Sequence, residues 1–275
     1  MIIGNKNFDT HNQTYVMGIL NVTPDSFSDG GKFDGLEKAL AHADQMVKEG
    51  VDIIDVGGES TRPGHTQISD EEEIQRVVPV IKALKEKYDL PVSIDTYKSA
   101  VAKAAIEAGA DLVNDIWGFK YDPKMASLVA KTGVVCCLMH NREQADYQDF
   151  LEDFMEDMRE SVKIAKEAGV ADDKIILDPG VGFAKTYEMN LEIVNRMEIM
   201  GGLGYPVLLG TSRKSVIGLT LDLPVTEREE GTLVTTVFGV EKGAAFVRVH
   251  DVEKNKRAIK MTKAILEVEK KVGSN

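Results

Sequence analysis

The sequence predicts a closed, parallel (β/α)8 TIM barrel, and three observations predict it. Eight short β-rich runs begin at Tyr15, Ile53, Val92, Leu112, Val134, Ile175, Pro206 and Ala244 and alternate with helical patterns, as successive βα units of a parallel sheet require. Nearly every run ends in a polar residue, and polar groups at the C-terminal ends of strands mark the functional rim of such a barrel. No Gly-x-Gly-x-x-Gly turn follows the first run at Leu20, which argues against an open, doubly wound sheet. The 275 residues, 43% of them apolar, supply one large core, and no Pro/Gly/Ser-rich linker or internal repeat divides them, so residues 1–275 are read as one domain.

Taken in chain order, residues 2–14 carry the turn formers Gly4-Asn5 and Asn12 and suit a small hairpin closing the barrel bottom. The first helix has its apolar face at Leu36, Ala39, Leu40, Ala43 and Val47, the second at Ile74, Val77, Val78, Ile81 and Leu84, both at helical spacing. The acidic run Asp70-Glu71-Glu72-Glu73 reads as the solvated first turn of that second helix, where the dipole favours carboxylates. Gly50, Gly109 and Gly169 each follow a periodic segment and precede a strand, which suits the left-handed C′ position. Cys136 and Cys137 are adjacent in an apolar strand and should point to opposite faces as small buried hydrophobes. Trp117 reads as packing, and His11 and His42 have no partner pattern. The long polar connections 22–35, 59–70 and 141–149 follow strand ends, on the catalytic face.

The formal charge of −12 and the lack of a basic run exclude a nucleic-acid grip. No basic n-region with a long apolar stretch opens the chain and no run of ~18 apolar residues occurs, so neither export nor a membrane is expected, and the cytoplasm is.

The strand-end residues are of two chemical kinds. Asp95, Asn114 and Asp178 offer carboxylate and amide groups suited to the donor and acceptor edge of a flat heterocycle. Arg62, Lys214, Arg248 and His250 offer donors suited to phosphate oxygens, and Arg248 and His250 stand two apart on an extended segment, on one side. The pattern implies a ligand with a polar ring at one end and an anion at the other. Asp95 also has a bland reading as a helix N-cap, and His250 as a solvated loop residue. No Ser, Cys or Lys nucleophile with an attendant base is evident, so catalysis is expected to be electrostatic.

The stretches LNVTPDSFSDGG at 20–31, GGESTRPG at 57–64, SIDTYK at 93–98, VNDIWG at 113–118, LMH at 138–140, LDPGVGFAK at 177–185, GTSRKS at 210–215 and RVHDV at 248–252 closely resemble dihydropteroate synthases. The resemblance spans nearly the whole chain, and its NVTPDSF and STRPG stretches are together highly specific. It implies condensation of a dihydropterin-methyl diphosphate with p-aminobenzoate by a homodimer, in folate biosynthesis. In that scheme Asp178, Asn114 and Asp95 hold the pterin edge, Lys214 its carbonyl and ring nitrogen, and Met139 and Gly210 line the pocket. Arg248, His250 and Thr61 would meet the diphosphate, with Asn21 holding Mg²⁺. Arg62, Pro63, Phe27, Phe183 and Ser215 would shape the aminobenzoate pocket. The catalytic set is Lys214, Arg248, His250 and Asp95. Two positions depart from the family pattern: Ala184 stands where Gly is common, and Val216 where an aromatic or Met often follows. The alternatives are a pterin-binding methyltransferase domain, which should lack NVTPDSF and STRPG, and a non-catalytic pterin carrier.

Overall fold

The computed structural model describes residues 1–22, 32–60 and 67–272. The chain opens with an antiparallel hairpin, β1 (Ile2–Ile3) and β2 (Lys6–Asn7), turned at Gly4-Asn5. Then β3 (Tyr15–Asn21) leads to α1 (Lys32–Lys48), β4 (Ile53–Gly57) to α2 (Asp70–Lys87), β5 (Val92–Asp95) to α3 (Ser99–Glu107) and β6 (Leu112–Asp115) to α4 (Met125–Thr132). The second half repeats the unit: β7 (Val135–Met139) with α5 (Phe150–Glu167), β8 (Ile175–Asp178) with α6 (Tyr187–Asn195), β9 (Leu208–Leu209) with α7 (Ser215–Leu221) and α8 (Glu229–Glu241), and β10 (Phe246–Val249) with α9 (Val252–Val272).

The strands β3 to β10 form one parallel sheet in the order β8, β7, β6, β5, β4, β3, β10, β9. A parallel bridge between Leu177 and Val207 joins β8 to the approach of β9 and closes the ring, with the Leu177 N–H donating to the Pro206 carbonyl at 2.9 Å. The open-sheet alternative is thereby excluded. Five strands begin where the sequence predicts; β7, β9 and β10 start one or two residues later than Val134, Pro206 and Ala244. Pro206 has no N–H to give to a ladder.

The two-residue period of a strand makes this barrel layered. Met17, Ile53, Leu112, Cys137, Ile176, Leu208 and Phe246 point inward at the lower level and, with Ile3 and Phe8 of the hairpin region, form a dry plug. Two residues further along, the same strands present Ile19, Asp55, Asn114, Met139, Asp178, Gly210 and Arg248, and β5 presents Asp95 above Ser93. One register therefore sets an apolar floor and a polar layer on it. The alternate residues, among them Val56, Ile94, Cys136, Leu138 and Leu177, face out onto the helices. Cys136 and Cys137 are buried on opposite faces, as alternation demands.

Gly50, Gly109 and Gly169 adopt φ of +85°, +112° and +96° at their helix ends, the left-handed conformation expected of them. The acidic run at α2 needs correction. Ser69 caps the helix and Asp70, Glu71 and Glu72 reach solvent, but Glu73 turns inward and is buried. Lys98 lies between it and Glu59, at 2.9 and 2.6 Å, so a charge that would be costly alone is paired. Trp117 packs with Tyr97, Ile116 and Met139, as expected of a packing residue.

Candidate active site

The polar layer centres on Arg248. Its Nε donates to Asp55 Oδ2 at 2.6 Å and its Nη2 to Asp95 Oδ2 at 2.5 Å, so one guanidinium bridges two strands across the barrel mouth. Asn114 Nδ2 donates to the same Asp55 oxygen at 3.3 Å. Two buried acceptors, Asp55 Oδ1 and Asp95 Oδ1, have no hydrogen-bond partner among the described residues. Burial pushes the Asp95 carboxyl up to about 7; Arg248 holds it down against that and the nearby Asp55 adds to it. The N-cap reading of Asp95 is set aside, because the first N–H of α3, that of Ser99, is satisfied at 2.8 Å by Asp122 Oδ2.

Asp178 ends β8 and accepts the Gly180 N–H at 2.7 Å. Burial raises its pKa against the opposing pull of Lys214 and of that N–H. Lys214 donates to the Val181 carbonyl and holds its ammonium 4.2 Å from the centre of the Phe183 ring; burial lowers its pKa to about 8, with Asp178 opposing. Gly210 lies beside Asp178 and Arg248. A Cβ there would stand at ordinary contact distance, 3.5 Å from Asp178 Oδ2 and 3.9 Å from Arg248 Cβ. Met139 and Phe183 belong with Tyr97, Ile116 and Trp117 to an apolar cluster beside the polar layer.

At the mouth of β3 and β10 stand Asn21, Ser212 and His250. Ser212 Oγ accepts the His250 backbone N–H at 3.2 Å and contacts His250 Nδ1 at 2.9 Å. With the serine proton given to Nδ1, Nε2 carries the ring N–H and is a donor. His250 and Asn21 line a cavity of ≈ 230 Å³ together with Lys38 and His42 of α1. Ser215 is the exposed first residue of α7. Of the other strand-end residues, Asp115 turns outward and caps the N–H groups of Trp117 and Phe119, at 2.8 and 3.1 Å, while Arg213 is tied to Asp251 at 2.8 and 2.9 Å. Thr61, Arg62, Pro63 and Phe27 lie outside the described residues.

The structure thus brings Asp95, Asn114, Asp178, Lys214, Arg248, Gly210 and Met139 to one mouth, with Asn21 and His250 at its side. Residues 17–250 match the family described as pterin binding enzyme. A dihydropteroate synthase of Clostridium beijerinckii is 62% identical over 97% of this chain and 99% of its own, and that of Bacillus subtilis is 58% identical over 92% and 89%. The chain belongs to the dihydropteroate synthase family. Among solved structures, the dihydropteroate synthase of Clostridium difficile with pteroic acid superposes with a TM-score of 0.92 at 52% identity, over 94% of this chain and 99% of that one. The Xanthomonas albilineans enzyme with 4-aminobenzoic acid gives 0.89 at 39%, over 93% and 94%.

Two residues of this dihydropteroate synthase family member escaped sequence reasoning. Asp55 stands inside the apolar run Ile53-Ile54-Asp55-Val56, and a charge in the middle of a core strand was the available signal, since it must find a partner. Lys185 closes LDPGVGFAK in the loop after β8, away from any strand end, so no local signal marks it. It donates to His140 Nδ1 at 2.8 Å, and His140 Nε2 in turn meets Asp157 Oδ2 at 2.9 Å. Burial lowers the His140 pKa to about 4 against the pull of Asp157, so the ring is neutral at pH 7.

Proposed function

We propose that this chain condenses (7,8-dihydropterin-6-yl)methyl diphosphate with p-aminobenzoate, releasing diphosphate and 7,8-dihydropteroate. The observation that carries the reading is the pair of orphaned acceptors on Asp55 and Asp95, bridged by Arg248 and beside Asp178, at the mouth of a barrel whose β3 and β10 edge presents Asn21 and His250. A buried acceptor left unmade costs ~1–3 kcal/mol, and the amino and ring N–H groups of a pterin would satisfy Asp95 Oδ1. Asp178 and Asn114 complete that edge, Lys214 meets the ring carbonyl and nitrogen, and Met139 and Gly210 shape the slot.

At the other end His250, Arg248 and Thr61 take the diphosphate. The methylene carbon–oxygen bond breaks, the electron pair leaves with diphosphate, and the dihydropterin ring spreads the positive charge left on carbon. The Asp178 carboxylate, fixed by the Gly180 N–H, is placed to favour that cationic ring. The arylamine nitrogen then forms the new bond and loses a proton. Being weakly basic, it is already an unprotonated nucleophile at neutral pH and needs no dedicated base. Phe183, Ser215, Arg62, Pro63 and Phe27 are assigned to its seat.

Among the described residues no three His, Cys, Asp or Glu groups converge on a metal position. Among the described residues the oxygen donor at Asn21 is one neutral amide, beside a cavity lined by Lys38 and His250. That fits a Mg²⁺ ion which keeps most of its waters and arrives on substrate phosphates, and its chemistry would be to neutralise charge on the leaving group. The methyltransferase alternative is not favoured: a family with 58–62% identical members covers nearly the whole chain.

The deciding experiment incubates the purified protein, Mg²⁺, dihydropterin-methyl diphosphate and p-aminobenzoate. Dihydropteroate and diphosphate should appear in equal amounts, and folded protein yielding no dihydropteroate would refute the reading. Diphosphate release without the amine would mark the dissociative route.

We also infer a cytoplasmic homodimer. No helix among the described residues is long and apolar enough to cross a membrane, and the two free cysteines are buried, which suits a reducing compartment. Helix α8 is inverted relative to an ordinary surface helix: Thr232 and Thr236 are buried while Val234, Val237 and Phe238 are exposed. Met261 and Ile265 of the neighbouring α9 are exposed as well, a face that a second copy would cover. Sedimentation should show twice the 30.2 kDa chain mass, and Phe238→Glu should shift the species to monomer. A monomeric wild type would refute the dimer.

A further inference from the structure

The connection from β8 to α6 is held in a conformation that its sequence does not favour. Its backbone takes left-handed φ at Gly180 (+65°), Gly182 (+87°) and also at Ala184 (+41°), where the Cβ costs ~1–2 kcal/mol. Such a residue persists only when its surroundings over-determine it. Here Tyr147 Oη donates to the Ala184 carbonyl at 2.8 Å, and Asn190 accepts the Gly182 N–H at 2.5 Å.

Asp178 also accepts the Gly180 N–H at 2.7 Å and Lys214 donates to the Val181 carbonyl, while Lys185 is the side chain that ties both ends of the turn to the neighbouring strand. Its ammonium donates to the carbonyls of Gly180 at 3.0 Å and Phe183 at 3.1 Å and to His140 Nδ1 at 2.8 Å, so all its partners are neutral. His140 can accept because its Nε2–H is committed to Asp157, which Arg142 Nε also holds at 2.5 Å. The chain Asp157–His140–Lys185 thus aims three N–H bonds at chosen acceptors. Burial draws the lysine pKa down to about 7 against the opposing pull of Asp178, a cost that packing alone would avoid with a methionine. What the ammonium does is span the loop: one carbonyl follows Asp178 by two residues, and the other belongs to Phe183, whose ring lies against Lys214.

We propose that Lys185 is a positioning residue for the arylamine substrate: it pins the strained Gly180–Ala184 turn so that Phe183 stands as a fixed wall of the aminobenzoate seat. The proposal rests on the condensation reading above. It predicts a selective defect. In Lys185→Met the stem remains and the donors are lost, so KM for p-aminobenzoate should rise at least tenfold, while kcat and KM for the dihydropterin diphosphate change less than threefold. Adding Ala184→Gly removes the strain that Lys185 holds, and the double variant should regain at least threefold of the lost KM. A residue that merely supports the fold would raise both KM values together, and no conservative change at 184 would repair one of them.

Equal rises in both KM values, or an unchanged KM for p-aminobenzoate in folded Lys185→Met, would overturn the proposal. If Lys185→Met fails to fold, Tyr147→Phe removes only the hydroxyl on the Ala184 carbonyl and should raise the p-aminobenzoate KM about threefold with the other KM unchanged; no selective rise would overturn it. Wild-type protein that makes no dihydropteroate would defeat the condensation reading instead, so the two failures are distinguishable.

Discussion

Arg248→Lys is expected to fold and to lose about a hundredfold or more in turnover, the scale seen when one preorganised donor to a developing charge is removed. The structure explains why so small a change matters. Arg248 uses two edges of one rigid fork, Nε toward Asp55 and Nη2 toward Asp95, and a lysine ammonium has no such fork. Arg248→Ala is a harsher change. It strands two buried carboxylates, and removing one partner of a buried pair costs ~3–5 kcal/mol, so its unfolding midpoint in urea should fall sharply. The sequence alone places Arg248 with the anion-binding group, separate from the ring-binding acids. The ion pair with Asp95 joins the two ends, so the lysine variant should also bind a pterin lacking the diphosphate more weakly. Steady-state kinetics with calorimetry checks this, and a lysine variant with wild-type turnover would remove Arg248 from the reaction.

Asp178→Asn is expected to weaken pterin binding by ~2–4 kcal/mol, roughly 30- to 1000-fold, without harming the fold. The amide can still accept the Gly180 N–H through its oxygen, but its NH2 then faces ring donors and leaves them unpaired. Stability should move the other way. A carboxyl whose folded-state pKa is raised opposes folding wherever it is ionised, that is, as pH rises above its ordinary range, and burial raises Asp178. The neutral asparagine escapes that penalty, so the variant should melt at or above the wild-type temperature at pH 7. Loss of function with equal or higher stability is the signature of a site residue. Unchanged pterin affinity in calorimetry would exclude Asp178 from the site.

Much of the barrel is local information, and for that reason was legible. Alternation along Leu112–Asp115 and Ile175–Asp178, the helical stripe at Ile74 to Leu84 and the glycines at helix ends follow from backbone geometry that each segment carries by itself. Polar residues at strand ends were equally visible, because a core strand does not end in Asp or Asn without reason. The pairing of charges was not. Asp55 and Arg248 are 193 positions apart, and nothing along the chain says that the guanidinium reaches across the mouth to two acids and leaves an oxygen of each unmade. Glu73 looked like one more exposed acid in a helical first turn until α2 docked against α3 and brought it to Lys98. Lys185 and His140 likewise acquire a shared task only when the β8 loop folds back over β7. Periodicity, caps and turns are set by interactions within a few residues, so the sequence by itself determined the elements, their order and the rim on which chemistry would be found. Which acid each cation answers, and which buried acceptor is left for a ligand, depends on where strands far apart in the chain meet, and only closure of the ring decided it.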